Sequence, residues 1–182
     1  MPNPALHDAV TLQHFAVAGR LDVLDNCHGH LPMPRWTDTV HDEVEAGHHR
    51  GYAHCGPVLQ CGWLGTPVQP SASDLRKITR IHIGLNEGRP ESDSHLGEAE
   101  SIYFAEKTGG LFVTDDNGAY DFAQRRPGLG PARVRDTVYV LRDAVANGYI
   151  TRGDAAACAA TIRAAGRHLL RTHPATLTAS DF

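Results

Sequence analysis

The run Leu-Phe-Val-Thr-Asp-Asp at 111–116 ends an apolar segment on two adjacent carboxylates, Asp115 and Asp116. Neighbouring acids at a strand end repel unless a cation or hydrogen-bond donors lie between them. A helix N-cap accounts for one aspartate, yet Asn117 could cap as well, which leaves the pair unexplained. Three more acids occupy comparable junctions. Asp8 follows a short apolar start and precedes a helix. Glu43 shares a helix face with Val40 and Val44. Glu98 falls in the first turn of a helix, where the dipole favours an anion. Taken singly, each has an ordinary structural role as a cap, a stripe-edge residue or a dipole partner. Brought together, such carboxylates would hold hard divalent cations through oxygen. Ions held in this way support phosphodiester hydrolysis by activating water and stabilising the leaving oxygen.

The elements that must position these acids alternate along the chain. Leu12, Phe15, Ala16 and Leu21 have near-helical spacing, with Gly19 as a stop. Pro32 and Pro34 favour an extended lead-in to a short helix, with Asp38 as its N-cap and Gly47 as its end. Residues 48–70, rich in His, Gly and Cys, are expected to be mostly loop, with a short strand in Trp63–Gln69. A capped helix follows from Ser71, with Leu75, Ile78, Ile81, His82 and Leu85 as its stripe. Residues 88–94 form a polar turn. A helix from about Gly97, a strand at 111–114 and a short helix from Asn117 come next. The basic, glycine-rich loop 124–135 leads into a helix through Val134, Val138, Leu141 and Val145, stopped by Asn147 and Gly148. Thr151 caps a final helix. Helices alternating with few short strands predict an α/β domain with a small parallel sheet. Sites in such sheets form beyond the carboxyl ends of the strands, where Asp115 and Asp116 stand.

The bulk properties narrow the function. The chain has 182 residues, 41% hydrophobic and 21% charged, as expected of one globular domain with a sizeable core. A formal net charge of −4 argues against a global polyanion binder, so nucleic-acid contact would need local cations or metal ions. Cys27, Cys55, Cys61 and Cys158 form no Cys-x-x-Cys pair, and residues 1–10 lack a secretion signal, so reduced thiols in a cytosol are expected. No apolar run approaches the roughly 20 residues that span a bilayer.

The order of the acids resembles that of PIN-domain nucleases, the fold of VapC-type toxins. His7–Leu24 resembles the family's opening, with Asp8 as first acid. Trp36–Gly47 resembles its second motif, with Glu43 as the acid. Gly97–Ala123 resembles the branch whose third motif reads Gly-Glu and whose fourth carries a double aspartate, and Val134–Gly166 resembles that branch's helical C-terminal part. The resemblance implies a three-layer α/β/α domain over residues 1–182, with 125–182 forming its loop and C-terminal helices. It implies a metal-dependent endoribonuclease with catalytic Asp8, Glu43, Glu98 and Asp116. Mg²⁺ or Mn²⁺ would be held by Asp8, Glu98, Asp115 and Asp116, with Thr114 and Asn117 orienting water or ligands. It further implies an RNA substrate, an antitoxin partner, a homodimer, no membrane association and a cytoplasmic location.

Arg125, Arg126, Arg133, Arg163 and Arg167 are the candidates for positioning phosphates. Arg163, Arg167 and Arg171 recur every four residues, which predicts one side of the last helix. Arg76, Lys77 and Arg80 are ambiguous between a solvated face and a phosphate contact. His48, His49, His54, Cys55 and Cys61 could ligate zinc, but their spacing fits no standard finger, and none is expected there. The rival readings are a DNA nuclease and a non-catalytic PIN-like module that binds RNA or protein.

Overall fold

The computed structural model describes residues 2–87 and 94–182. In chain order these give β1 (Ala5–His7), α1 (Ala9–Val17), α2 (Leu21–Leu24), α3 (Asp38–His49), α4 (Cys55–Leu59), α5 (Ala72–Leu85) and α6 (Leu96–Thr108). They continue with β2 (Leu111–Val113), α7 (Asn117–Gln124), β3 (Val134–Arg135), α8 (Thr137–Ala146) and α9 (Arg152–Ala164). The fold is α/β and mostly helical. Its sheet is parallel, in the order β1-β2-β3, with Leu6 opposite Phe112 and Phe112 opposite Val134.

Strand alternation sends successive side chains to opposite faces of this sheet. Ala5 and Val113 join an apolar cluster with Leu12 and Phe15 of α1, Leu141 of α8 and Ile162 of α9. Leu6, Phe112 and Val134 join a second cluster with Ile78 of α5, Ile102 of α6 and Ala119 of α7. Both faces are packed against apolar clusters, which is why the central strand β2 is a continuous hydrophobic run, Leu-Phe-Val.

Polar side chains start most of the helices. Asp8 accepts from Thr11 N at 2.7 Å and Asp116 from Ala119 N at 2.7 Å. Ser71 and Thr151 each cap their helix with a reciprocal bond from Asp74 or Asp154. Each such cap contributes about 1 kcal/mol.

Several local expectations change. Thr37, not Asp38, caps α3, accepting from Val40 N at 3.3 Å. Gly47 does not end that helix; it sits within it, where a side chain would run into Cys55 Sγ. Residues 48–70 are mostly loop and turn, as expected, but they also contain α4 and a 3-10 turn at Gly62–Leu64, and in place of a strand in Trp63–Gln69 only Val68 bridges, to Thr37. Leu75 is 48% exposed rather than part of a buried stripe. Val134 lies in β3, so α8 begins only after its cap, Asp136. α9 stops at Ala164 because Gly166 takes a left-handed φ of +75°, so Arg167 and Arg171 lie on the segment beyond it and share no helix side with Arg163. The polar turn expected at 88–94 falls, but for Ser94, outside the described residues.

Candidate metal centre

The carboxyl ends of β1 and β2 adjoin because those strands pair in register through His7 and Val113. The next residues, Asp8 and Thr114, therefore meet. Thr114 Oγ1 donates to Asp8 Oδ2 at 2.5 Å, and Asp116 N donates to Thr114 Oγ1 at 3.1 Å. One hydroxyl thus ties the first and last acids of the series together. Asp8 is almost wholly buried.

Glu43 and Glu98 reach the same neighbourhood from α3 and α6. These helices approach closely at Gly97, where an added Cβ would lie 2.9 Å from Glu43 Oε1 and 3.1 Å from Val40 Cγ2. The Gly-Glu dipeptide has a packing reason: the glycine admits α3, and the glutamate after it faces the other acids. Burial pushes the Asp8 carboxyl well above its ordinary range, and the charge of Glu98 adds to this against the opposing hydrogen bond from Thr114. Glu43 stands on the exposed side of α3, yet packing around its carboxyl group and then the charges of Glu98 and Glu100 push it up to about 7. His95 is raised first by its close contact with the Glu98 carboxylate and also by the charges of Asp116 and Glu43. Asp8, Glu43, Glu98 and Asp116, from four separate elements, therefore act on one electrostatic centre.

Asp115 does not join them. Its side chain is fully buried on the other side of the backbone and accepts from Thr137 Oγ1. It also accepts from Thr137 N at 3.2 Å and Thr11 Oγ1 at 3.4 Å, and lies 3.2 Å from His14 Nδ1. The expectation that Asp115 ligates metal does not fit this placement: its oxygens are committed to anchoring α1 and α8. Asn117 turns its carbonyl oxygen to Arg171 N at 3.1 Å.

Two participants have no place in the motif reading. His95 precedes α6 in a left-handed conformation, φ 65°, with Nδ1 3.8 Å from Glu98 Oε1. That backbone region is uncommon outside glycine and collects at functional sites. The i,i+3 spacing of His95 and Glu98 was the available signal. Glu100 is buried and accepts from Thr39 N at 3.4 Å, a helix-start contact that its sequence position does not announce.

Glu43 makes the charge cluster measurable. Its folded pKa, about 7, exceeds the ordinary 4.5, so between those values the folded chain binds more protons here than the unfolded chain. Stability from this group is therefore lost as pH rises through that window. His7 and His28, buried against each other with Nε2 and Nδ1 2.9 Å apart, act in the opposite sense. Burial lowers His7 to about 4 and lowers His28 as well, so their contribution rises with pH. In a difference against Glu43→Gln the histidines cancel. The variant should gain on the parent between about pH 4.5 and about pH 7 in urea unfolding with EDTA. A pH-independent difference would show that the Glu43 carboxyl is not raised in the folded chain.

The candidate phosphate-positioning arginines are largely engaged. Arg126 pairs with Glu106 at 2.7 and 2.8 Å, and Arg133 donates to the carbonyls of Gly128 and Leu129. Arg163 donates to Pro174 O at 2.6 Å. Arg167 bonds Gln13 Oε1 and lies against His54 Nε2, each at 2.7 Å. Arg125 is exposed at the end of α7. Arg167 thus draws residues 165–173 against α1, while Arg171 bonds Asn117 and Asp121 on α7, beside Asp116.

The donor chemistry suits Mg²⁺ or Mn²⁺. It offers carboxylate oxygens without thiolate, and Asp8 is a buried acid whose charged form is disfavoured until a cation joins it. Among the described residues, one group of three ligand atoms lies within 4.8 Å, at His41, Asp42 and Glu45, and the four acids do not form another. That trio sits at the surface of α3, with Asp42 and Glu45 exposed. The His/Cys segment forms no such group among the described residues. Cys55 is buried in the core, and all four cysteines are free thiols. Compared with protein-family models, with curated proteins and with solved structures, the chain matches none.

Proposed function

We propose that this chain is a divalent-metal-dependent endoribonuclease with a three-layer, PIN-like arrangement, acting in the cytoplasm as the toxin of a toxin–antitoxin pair. The observation that carries the reading is the electrostatic coupling of Asp8, Glu43, Glu98 and Asp116 at the carboxyl end of a parallel sheet, where α/β folds place their sites. The two apolar clusters on opposite sheet faces favour the layered arrangement. The resemblance adds RNA as substrate, an antitoxin and a homodimer. An inhibitor of such a site would present a basic side chain to Glu98 and Asp116.

Mg²⁺ or Mn²⁺ would be held by Asp8, Glu98 and Asp116, with Glu43 completing the anionic wall. Bound there, the ion would activate water and stabilise negative charge on a leaving oxygen. The chain's own residues do the orienting. Thr114 and Thr11 N fix the Asp8 carboxylate, and Ala119 N fixes Asp116. His95 stands at the rim, where its ring can meet a phosphate oxygen.

Among the described residues no helix is long and apolar enough to cross a membrane, in keeping with a substrate in free solution. The first test is thermal unfolding with Mg²⁺ or Mn²⁺ titrated against EDTA. A site that repels itself when empty should be stabilised by about 2.7 kcal/mol at a hundredfold excess of ion over its dissociation constant. Glu98→Gln should shrink the shift. A parent protein indifferent to both ions would favour the non-catalytic binding module.

A further inference from the structure

We infer that the groove between α5 and α6 is a second anion site that grips the phosphodiester backbone of a single-stranded nucleic acid. This names where the strand of the proposed function is held, and rests on that reading only for the strand's being the substrate. The groove is a cavity of about 520 Å³ whose walls carry Lys77, Arg80, Lys107 and Arg126. Glu106 is the one carboxylate among its lining residues, and it is already bonded to Arg126. Tyr103 and Ile81 floor it, both almost fully buried. In a chain of net charge −4, this concentration of cations is not a bulk property.

Lys77 and Arg80 are exposed, and neither has a hydrogen bond or ion pair among the described residues. Lys77 instead lies over the Tyr103 ring at 5.9 Å, joined there by Lys107 at 5.5 Å. Lys107 is steadied by Asp74 at 2.9 Å, which also accepts from the Tyr103 hydroxyl. The groove therefore has a fixed, pre-charged floor and two free cations at its lip.

Its shape selects a polyanion over a small anion. A second cavity, of about 240 Å³, adjoins the first, sharing Lys77 and Arg80 and adding Arg76. Arg76 and Arg80 stand one turn apart on α5, about 6 Å between Cβ atoms. The cationic surface is thus a strip, long enough for successive phosphates. α6 links the strip to the metal centre: Glu98 lies in its first turn and Lys107 in its last, about 14 Å apart along the axis. Tyr103 and Lys107 face α5, whereas Glu98 faces α3, so the strip is a remote anchor. Remote binding that is equal in ground and transition states changes KM rather than kcat.

The test uses the full chain with a fluorescent single-stranded RNA 12-mer in EDTA, read by anisotropy across a salt series. Lys77→Gln/Arg80→Gln should weaken binding at least tenfold at low salt and reduce the slope of log K against log salt by about 1.4, two lost contacts on a single strand. A control pair, Arg50→Gln/Arg152→Gln, should change neither. Inorganic triphosphate should compete far more weakly than unlabelled 12-mer. With metal restored, the double variant should raise KM and leave kcat unaltered. Unchanged affinity and slope, equal losses in the control pair, or triphosphate competing as well as RNA would each overturn the assignment. If binding follows this pattern but no cleavage occurs with any metal, the anchor stands and the nuclease reading falls.

Discussion

Asp116→Asn is expected to lower the proposed divalent-metal-dependent RNA cleavage by at least about a hundredfold, the equivalent of about 3 kcal/mol in the transition state, and to leave the fold intact. The two halves of that result have separate causes. Asp116 Oδ1 caps α7 through Ala119 N at 2.7 Å. Asparagine caps about as well as aspartate, so the helix start survives. The substitution removes one of the three negative charges, Glu98, Asp116 and Glu43, that act on His95. Metal-free melting should hold or rise, and the shift induced by Mg²⁺ or Mn²⁺ should shrink. A cap with no further role predicts the reverse, namely cleavage and metal response equal to the parent's.

Its neighbour should behave in the opposite way. Asp115→Ala is expected to destabilise the protein by about 3 kcal/mol or more, a fall in melting temperature of roughly 10 °C for a chain of this size. The fully buried Asp115 carboxylate accepts from Thr137 N and Oγ1 and from Thr11 Oγ1, beside His14. Its removal leaves those groups without their acceptor inside a core cluster. Thermal or urea unfolding of the two single variants measures the contrast. Equal stability of Asp115→Ala and the parent would contradict the anchoring role.

The assignment of roles within this pair shows where sequence reading stops. That two acids ended an apolar strand was visible, as was the cost of leaving them adjacent. Which one faces the site depends on side-chain parity. Val113 packs toward α1 and α8, and Asp115, two residues on, continues to that side, where His14 and Thr137 wait. Parity was available in principle, but nothing in the sequence says which sheet face carries α1. The caps Asp8, Ser71 and Thr151 were legible because capping chemistry is local. β3 was not, because a two-residue strand containing Val134 satisfies a helical stripe equally well. α4 was hidden by Gly56 and Pro57, and its identity as a helix depends on Cys55 and Val58 packing into the core. His95 was missed because residue type alone does not fix a positive φ, and its nearness to Glu43 and Asp116 is tertiary. The arginines failed differently. Spacing identified them as a set, whereas Gly166 breaks the helix between Arg163 and Arg167 and directs each to its own acceptor.

Glu98→Gln should follow Asp116→Asn less severely, because the N-terminal dipole of α6 also stabilises that charge. The most direct measurement is cleavage of a single-stranded RNA by the purified parent chain, with Mg²⁺ or Mn²⁺ titrated against EDTA and Asp116→Asn run in parallel. The account predicts internal cleavage that rises with ion concentration, vanishes in EDTA and is lost in the variant. Cleavage that persists in EDTA, or a parent chain inert at every ion concentration, would contradict it.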